Sequence, residues 1–520
     1  MLEQILVNSL FLILFIYLNK KIRNGFHILQ LEHYQLKSYN KWIKNHFGKV
    51  FSIKEIIIFL IVVISTFINL KIGTILGILL TIILYITFPK QKEKKPLVIT
   101  NRIKRMYITN TVLFLLIVIL TNIFNLRAGI LVTVIYAFLT YYIVEIINIV
   151  NRPVEQVIQN KFYNSAKRKL KQNENLKVIG ITGSYGKTST KYIVSTILEQ
   201  KYNVLMTPES YNTTMGVVRT INEHMKPEHQ IFVCEMGARH IGDIKEICDL
   251  VEPNYGILTS IGPQHLDTFK TLDNVKKTKM ELVDAIKEDG IAFVNQEDEN
   301  IQNITIQKKN IKYGLTNKNC DYYADNIQIT EKGSSFDVHT KEGIIPVKTK
   351  LLGTNNIINI VAAVSVAKEL GLNDEQIKLG IRMLKPVPHR LELIQGGNGS
   401  IIIDDAFNAN VKGSASALEV LKSFKERKKI LVTPGMVELG DKQYEYNKNF
   451  GKQAAKSADY VILVGEKQSV PIKDGLQEEN YPQEQIYIAK NLEEAIKEMN
   501  KVITKDSVVL LENDLPDNYL

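Results

Sequence analysis

The chain has 520 residues, more than one hydrophobic core usually supports, so several domains are expected. Hydrophobic residues make up 45% and charged residues 23%, as in globular proteins, but most of the long apolar runs lie in about the first 150 residues. Three widely spaced cysteines without a CxxC pair argue against a disulfide framework or a zinc site. The net charge of +11 is concentrated in two loops between apolar segments, so membrane topology explains it more simply than nucleic-acid binding.

Apolar stretches near the N-terminus predict a membrane region at 1–150 with about five transmembrane helices. Each stretch is close to the roughly 20 residues that a helix needs to cross a bilayer. The five stretches are 5–18, 55–70, 72–88, 107–125 and 129–148. The first is short enough for a signal peptide, but it lacks a small-residue cleavage site and more apolar segments follow, so an uncleaved anchor is expected.

The charges of the connecting loops orient these segments. The loops after the first and third segments are rich in lysine and arginine, whereas the remaining two turns contain only Lys71 and Arg127. By the positive-inside rule, both basic loops and everything after about residue 150 face the cytoplasm, and the N-terminus lies outside. Tyr39, Trp42 and Phe47 lie among lysines in the first loop, which is either an interfacial helix attracted to anionic lipid or a solvated loop.

Beyond the membrane region, short apolar bursts alternate with helical periodicity, which predicts parallel sheets covered by helices. The predicted elements are a strand at 177–182, a helix at 188–200, strands at 202–206, 230–234 and 255–259, a helix at 274–287, and strands at 291–295 and 401–404. Residues 320–350 look β-rich, and no internal repeat is evident. A proline-containing boundary near 385–390 separates two α/β domains.

The segment Gly183-Ser184-Tyr185-Gly186-Lys187-Thr188 lies between the first predicted strand and its helix. Glycines let backbone N–H groups approach a phosphate, and the helix that follows offers its positive end to the anion. We expect Lys187 to neutralise the β- and γ-phosphates of ATP and Thr188 to hold Mg²⁺. Ile181 stands where the general motif has a glycine, so the pattern is GxxGKT, and a structural glycine turn is the alternative.

Residues 181–189, Ile-Thr-Gly-Ser-Tyr-Gly-Lys-Thr-Ser, resemble the ATP loop of Mur ligases, which extend the peptidoglycan stem peptide with the help of ATP. The resemblance runs from about residue 176 to 470. It implies that the α-helical transmembrane region is followed by α/β domains: a central P-loop ATPase domain at 170–386 and a Rossmann-like C-terminal domain at 387–520. The loop residues that it implies for ATP binding are Gly183, Ser184, Tyr185, Gly186, Lys187, Thr188 and Ser189.

The same resemblance implies two Mg²⁺ ions and a modified lysine. Glu235 corresponds to a family glutamate that binds Mg²⁺; the alternative is a solvated acid at a strand end. His265 resembles the family histidine that binds a second Mg²⁺; the alternative is an ordinary loop histidine. Lys279, in the K-x-K-x-E pattern at 277–281, is the candidate for carbamylation; the alternative is an ordinary surface lysine. The implied metal ligands are thus Thr188, Glu235, His265 and Lys279.

Further residues implied to bind ATP lie along the rest of the match. They are Asn295, Asn356, Asn359, Arg390 and Asp405. Asn355 replaces the usual histidine of the family's G-x-H-N-x-x-N pattern, and helix capping is the alternative role for Asn356. The residues implied to be catalytic are Lys187, Lys279, His265 and Arg390. The candidates for substrate contacts are Asn212, Thr213, Asn408 and Asn410.

In function, the resemblance implies an ATP-dependent ligase that activates a carboxylate as an acyl phosphate and forms an amide bond. It is closest to family members that add D-alanyl-D-alanine to a nucleotide-linked tripeptide. Membrane segments occupy the position of their UDP-binding domain, which leaves the acceptor open, a lipid-linked one included. The alternatives are a membrane-associated ligase of another envelope polymer, such as poly-γ-glutamate, and an inactive membrane nucleotide sensor or scaffold.

Overall fold

The computed structural model describes residues 2–89, 96–407 and 409–514, apart from the side chain of Asp267. The chain divides into two compact units, with the division between Asn160 and Lys161. Unit 1 is helical, and unit 2 contains two sheets.

Unit 1 is built from apolar helices joined by short connections. The helices are α1 (Leu2–Leu31), α2 (Leu36–Asn45), α3 (Phe47–Val50), α4 (Ile53–Ile68), α5 (Leu70–Ile86), α6 (Asn101–Phe124), α7 (Leu126–Phe138) and α8 (Thr140–Gln172), whose last part belongs to unit 2. Within the described residues, α1 and α6 are long and apolar enough to cross a membrane, and α7 with α8 adds a third span if this bent pair forms one. The number of crossings stays a prediction.

Three details differ from the sequence-based expectation. The first apolar helix reaches Leu31, well beyond residue 18, and so takes in the first part of the expected loop. The fifth segment is not one helix, because α7 and α8 meet at an angle of 84°. Residues 36–45 of the basic loop form a helix whose Tyr39 and Trp42 are buried inside unit 1, so this part is not a solvated loop.

The structure also exposes an internal repeat that inspection of the sequence missed. The pair α4–α5 and the pair α6–α7 are both helical hairpins, related in sequence by a constant separation of 56 residues. Asn69 and Asn125 occupy the same position in the two turns, and each side chain accepts hydrogen bonds from two backbone N–H groups of the following helix. Gly73 and Gly129 are also equivalent. A Cβ on either glycine would lie within 2.4 Å of an atom of the preceding helix.

Two adjacent lysines of α1 bind carbonyls at the C-terminal ends of α5 and α7. Lys20 Nζ donates to the carbonyl of Tyr85 at the end of α5, at 2.9 Å. Lys21 Nζ lies 3.3 Å from the carbonyl oxygen of Ala137 at the end of α7. Cations at helix C-termini satisfy carbonyls that lack intrahelical partners. This arrangement explains why lysines are tolerated within a long apolar helix.

The first sheet of unit 2 has nine strands in the order β2-β3-β1-β4-β5-β6-β7-β8-β9. It is parallel from β2 to β7, and β7, β8 and β9 pair antiparallel. The strands are β1 (Lys177–Thr182), β2 (Val204–Met206), β3 (Ile231–Glu235), β4 (Tyr255–Leu258), β5 (Ile291–Asn295), β6 (Asn310–Gly314), β7 (Tyr322–Thr330), β8 (Gly333–Thr340) and β9 (Gly343–Thr349). The associated helices are α9 (Lys187–Leu198), α10 (Thr214–His224), α11 (Asp243–Val251), α12 (Leu266–Phe269), α13 (Leu272–Ala285), α14 (Glu299–Gln302), α15 (Thr354–Glu369) and α16 (Asp374–Met383).

The second sheet has six strands in the order β10-β11-β15-β12-β13-β14, all parallel except β10. Its strands are β10 (Glu392–Gln395), β11 (Ile401–Asp405), β12 (Lys428–Thr433), β13 (Tyr460–Val464), β14 (Ile486–Ala489) and β15 (Ser507–Glu512). Its helices are α17 (Val411–Ser423), α18 (Gln443–Ala455), α19 (Val470–Glu478) and α20 (Leu492–Val502), with short 3-10 turns at Gly440–Lys442 and Gln483–Gln485.

The two sheets have separate apolar cores, one centred on α9 and α15 and the other on α17 and the strands of the second sheet. Every strand and helix predicted from the sequence in unit 2 is present, with bounds that agree within two residues. The β-rich segment at 320–350 is the antiparallel extension β7–β9. The α/β fold class is therefore confirmed.

Candidate functional site

The carboxyl ends of four neighbouring parallel strands, β3, β1, β4 and β5, meet at one edge of the first sheet. Open α/β sheets bind ligands outside this edge. Strand β1 leads into the glycine loop, β3 ends at Glu235, and β5 ends at Asn295. The sequence motifs are thereby brought to one place by the order of the strands.

The glycine loop is held from behind by the loop that follows β4. Gly183 has a φ of 152°, and a Cβ there would lie 2.0 Å from Thr259 Oγ1, so no larger residue fits. Ser260 Oγ accepts a hydrogen bond from the N–H of Tyr185 at 2.7 Å. Lys187 Nζ folds back onto the carbonyl of Gly183 at 2.8 Å. The loop is thus preorganised around the amine that the sequence assigns to phosphate.

Glu235 is the centre of a buried polar cluster. Its Oε1 accepts hydrogen bonds from Thr188 Oγ1 and from Asn212 Nδ2, both at 3.0 Å. Its Oε2 lies 3.1 Å from Lys191 Nζ, yet it forms no hydrogen bond of adequate geometry with any described residue. Lys191 also donates to the carbonyl of Glu209. Since both charged side chains are almost fully buried, Lys191 is the counter-ion that makes burial of this carboxylate tolerable.

Two further lysines near Glu235 have lowered pKa values. The pKa of Lys187 is lowered to about 8, chiefly by burial; the charge of Glu235 opposes this shift and that of Arg390 adds to it. Burial lowers the pKa of Lys279 well below its ordinary value, and the charge of Lys187 adds to the effect. Lys279 is buried on α13, so the alternative of a surface lysine is wrong. A neutral buried amine is the form that reacts with CO₂.

His265 lies close to the second sheet of the same unit. Its Nδ1 is 2.6 Å from Oε2 of Glu438, and Arg239 Nη2 is 3.9 Å from Oε1 of the same carboxylate. Burial lowers the pKa of His265, although Glu438 opposes the shift. His265 and Glu438 both have a positive φ, 51° and 62°, which holds the two side chains in an uncommon backbone geometry.

A cavity of about 260 Å³ lies between the two sheets of unit 2, next to the glycine loop. Its wall includes most of the residues that the sequence assigns to ATP. They are Tyr185, Gly186, Ser189, Asn295, Asn356, Asn359, Arg390 and Asp405, together with Asn355 and Asn410. The structure thus brings together residues from both predicted domains.

The three asparagines assigned to ATP from the sequence, Asn295, Asn356 and Asn359, already have partners. Asn295 Nδ2 donates to the carbonyl of Thr259 at 2.6 Å, behind the glycine loop. Asn359 Oδ1 accepts from Thr190 Oγ1 at 3.0 Å and so fastens α15 to α9. Asn356 Nδ2 donates to the carbonyl of Leu352 at 2.8 Å; the N-cap of α15 is Gly353, so this bond is not the helix capping considered as the alternative role of Asn356. In this structure, Asn295 and Asn359 therefore hold the glycine loop and α15 in place beside the cavity.

The other predicted contacts separate into two groups. Asn212 donates a hydrogen bond to Glu235. Thr213 and Asn410 instead cap α10 and α17, and their side chains accept hydrogen bonds from the N–H groups of Gly216 and Gly413. Asn408 lies outside the described residues. Capping explains the residue type at Thr213 and Asn410 without a ligand.

Sequence reasoning missed four charged residues. Lys191 is one helical turn after Lys187, a spacing that places both on one face of α9 and was available from the sequence. Lys412 Nζ forms an ion pair with Asp298 Oδ2 at 2.8 Å across the cavity wall. Glu512 is buried beside Asp405, and no local pattern signals that contact, since it depends on the order of strands in the second sheet.

Arg390 and Asp405 line the second-sheet side of the cavity. The guanidinium of Arg390 lies 4.6 Å from the ring centroid of Phe407, and burial lowers its pKa. Asp405 Oδ1 accepts from the N–H of Leu391 at 3.1 Å. Burial raises the pKa of Asp405 to about 6 and that of Glu512 well above its ordinary value, the latter also because of the charge on Asp405.

Among the described residues, no group of three or more His, Cys, Asp or Glu side chains is arranged to hold a metal ion. Mg²⁺ that binds together with a nucleotide needs only one or two protein ligands, since phosphate oxygens and water complete its coordination shell. Thr188 and Glu235, with an Oε2 that lacks a hydrogen bond, fit one such ion. His265 contacts Glu438 instead of this pair.

Replacing Lys191 by Met should leave Glu235 buried without a counter-ion. We expect the free energy of unfolding to fall by about 3–5 kcal/mol, as when one partner of a buried ion pair is removed. The double variant K191M/E235Q should recover most of this loss, because it removes the uncompensated charge. Denaturant unfolding of the full chain without nucleotide measures both values; a K191M protein as stable as the unaltered one contradicts the role of Lys191.

The raised pKa of Glu512 predicts a pH-dependent stability. A carboxyl group with a raised folded-state pKa stabilises the fold fully below its ordinary value near 4.5, and this contribution is lost as the pH rises through the folded-state value. Glu512→Gln removes this dependence, so its melting temperature relative to the unaltered chain should increase from pH 5 to pH 8. The control is exposed Glu484→Gln. A difference for E512Q that is constant over this range contradicts the expectation.

Comparison with known proteins supports the assignment of these two sheets. The family models described as Mur ligase middle domain and as Mur ligase, glutamate ligase domain match residues 181–367 and 389–512. The UDP-N-acetylmuramoyl-tripeptide--D-alanyl-D-alanine ligases of Escherichia coli K12 and Bacillus subtilis 168 are 34% and 32% identical over 57% and 53% of this chain. The matches cover 66% and 59% of those proteins, which is less than two thirds of their length.

Solved structures agree. MurF from Acinetobacter baumannii superposes with a TM-score of 0.63 at 27% identity, covering 69% of this chain and 78% of that one. MurF from Thermotoga maritima, solved in complex with ADP, gives 0.61 at 25% identity, covering 68% and 80%. With both domain models matched and the strand order bringing their motifs to one cavity, this chain belongs to the Mur ligase family.

Proposed function

We propose that the chain is an ATP-dependent ligase that joins D-alanyl-D-alanine to a muramoyl-tripeptide carboxylate in peptidoglycan precursor synthesis. The observation that carries the proposal is that the phosphate loop, with Glu235 bonded to its Thr188, lies beside one cavity that Arg390 and Asp405 line from the other side. The relatives named above carry this activity in their names.

A free carboxylate does not condense with an amine at a useful rate, because oxide is a poor leaving group. In the proposed reaction a carboxylate oxygen attacks the γ-phosphorus of ATP and ADP leaves. The amine then attacks the acyl carbon, phosphate leaves, and the amine loses one proton. The net products are the amide, ADP and phosphate.

The residues of this chain supply binding and charge for these steps. The N–H groups of the glycine loop and the amine of Lys187 hold phosphate oxygens, and Arg390 approaches them from the second sheet. Thr188 and Glu235 would hold a Mg²⁺ ion, which supplies positive charge to the transferring phosphoryl group when bound. Asn295 and Asn359 keep the loop and α9 in place.

A second Mg²⁺ near His265 and a carbamylated Lys279 are part of the same proposal. Burial lowers the pKa of Lys279 and so favours the neutral amine, the form that reacts with CO₂; the product would be a carboxylate. Its negative charge would balance Lys187. For His265 to reach a metal, its contact with Glu438 must break.

We also propose that unit 1 is a multi-pass membrane domain and that the catalytic domains lie in the cytoplasm, where ATP is available. Support comes from the apolar helices α1 and α6, the bent pair α7–α8, and the basic loops that the positive-inside rule assigns to the cytoplasm. Such an anchor suits an acceptor that is linked to lipid.

ADP release by the full chain in detergent tests the reaction. With D-alanyl-D-alanine we expect release with a UDP-linked or a lipid-linked muramoyl tripeptide, and the comparison of the two shows which one is the acceptor. Lys187→Ala should lower the rate by about 10²–10³-fold, because a charge at the transferring phosphate is lost. No release with either acceptor, or release that depends on glutamate instead, overturns the proposal.

Carbamylation is tested separately with ¹³C-bicarbonate. We expect a carbamate carbon signal in the NMR spectrum of the unaltered chain and none in Lys279→Met. The control variant is Lys277→Met on the exposed face of the same helix, which should keep both the signal and the rate of ADP release. An active unaltered chain without a signal contradicts the modification.

A further inference from the structure

Unit 1 contains a second cavity, which is lined by none of the residues assigned above to the ligase reaction. It has a volume of about 480 Å³ and lies where the second half of α1, the α2–α3 segment, the start of α4 and the end of α5 meet. Both polar and apolar side chains line it. Ionisable residues within a membrane domain are costly and mark functional sites.

The floor of this cavity is a buried ion pair. Lys21 Nζ lies 2.8 Å from Glu55 Oε2, and both residues are at most 5% exposed. The hydroxyl of Tyr17 donates to Oε1 of the same carboxylate. The single carboxylate in the described lining is therefore already bonded to two partners, and its charge is balanced by Lys21.

The rim of the cavity carries two more cations. Lys49 and Lys54 are exposed, and the ring of His46, stacked on Trp42, lines the same cavity. Lys54 Nζ is held by Thr87 Oγ1 at 2.6 Å. After the Lys21–Glu55 pair is set aside, the described lining has an excess of positive charge at its opening. Such an opening attracts an anion.

The rest of the wall combines the polar side chains of Asn24, His27, Ser52 and Thr87 with an apolar part. Ile28, Leu31, Trp42 and Phe88 line it, and Ile53, next to Lys54 at the start of α4, is 75% exposed. A ligand that matches this cavity has an anionic head and an apolar body. Basic pockets between membrane helices on the cytoplasmic side bind phosphate-bearing lipid head groups, and lysine binds phosphate as a point charge.

We propose that this cavity binds the phosphate head group of an anionic lipid, with Lys49 and Lys54 at the phosphate and the apolar wall against the first carbons of the chain. Two sources carry this chemistry: a polyprenyl phosphate and an anionic glycerophospholipid. The site is independent of ATP, and its occupancy can be measured without ligase activity.

Binding is tested by native mass spectrometry of the full chain in detergent, titrated with a polyprenyl phosphate, with phosphatidylglycerol, or with uncharged polyprenol of the same chain length. We expect saturable binding of a phosphate-bearing lipid and at least tenfold weaker binding of polyprenol. Preference between the first two lipids identifies the source. If polyprenol binds equally well, or if neither phosphate-bearing lipid binds, the proposal is overturned.

The rim variant K49Q/K54Q removes two exposed cations and leaves the buried Lys21–Glu55 pair in place. Its affinity for the phosphate-bearing lipid should fall about tenfold or more. The matched control K37Q/K44Q makes the same change in charge at exposed lysines of α2 outside the cavity lining and should alter affinity less than twofold. An unchanged affinity in the rim variant, or equal losses in both variants, refutes a site at the rim.

Discussion

The carboxylate of Glu235 is the constraint around which the catalytic unit is organised. It sits at the end of a fully buried strand, where an isolated charge would be very costly. Thr188 and Lys191 approach it from α9 and Asn212 from the loop before α10, so both segments are fixed relative to β3. Balancing this one buried charge thus holds the start of α9, which directly follows the phosphate loop.

The same physical solution recurs in unit 1. Lys21 and Glu55 form a buried pair between α1 and α4, and Tyr17 completes the bonding of the carboxylate. In each unit, a lysine that looks like a surface residue in the sequence is buried because a distant glutamate compensates it. A buried pair contributes little net stability compared with apolar packing, but breaking it is costly, so both pairs specify which segments meet.

This long-range dependence decides how much the sequence could predict. Strands such as β5 and the glycine loop were predictable, since their signals are local: apolar bursts, glycines and a following helix. The extension of α1 to Leu31 was not predictable. In the sequence, Lys20 and Lys21 indicate the end of an apolar segment, and only the structure shows their partners at the ends of α5 and α7. The contact of His265 with Glu438 joins residues 173 positions apart and leaves no local pattern.

The linker between the two sheets of unit 2 bears directly on how the cavity works. His389 and Leu391 both adopt a positive φ, which costs about 1–3 kcal/mol for each such residue. Asp404 and Asp405 offset this cost by bonding His389 Nδ1 and the N–H of Leu391. Arg390 lies between the two strained residues, and the chain passes from the first sheet to the second only here. Any change in the angle between the sheets must therefore act on this linker and on the Lys412–Asp298 ion pair, and it moves Arg390 relative to the phosphate loop.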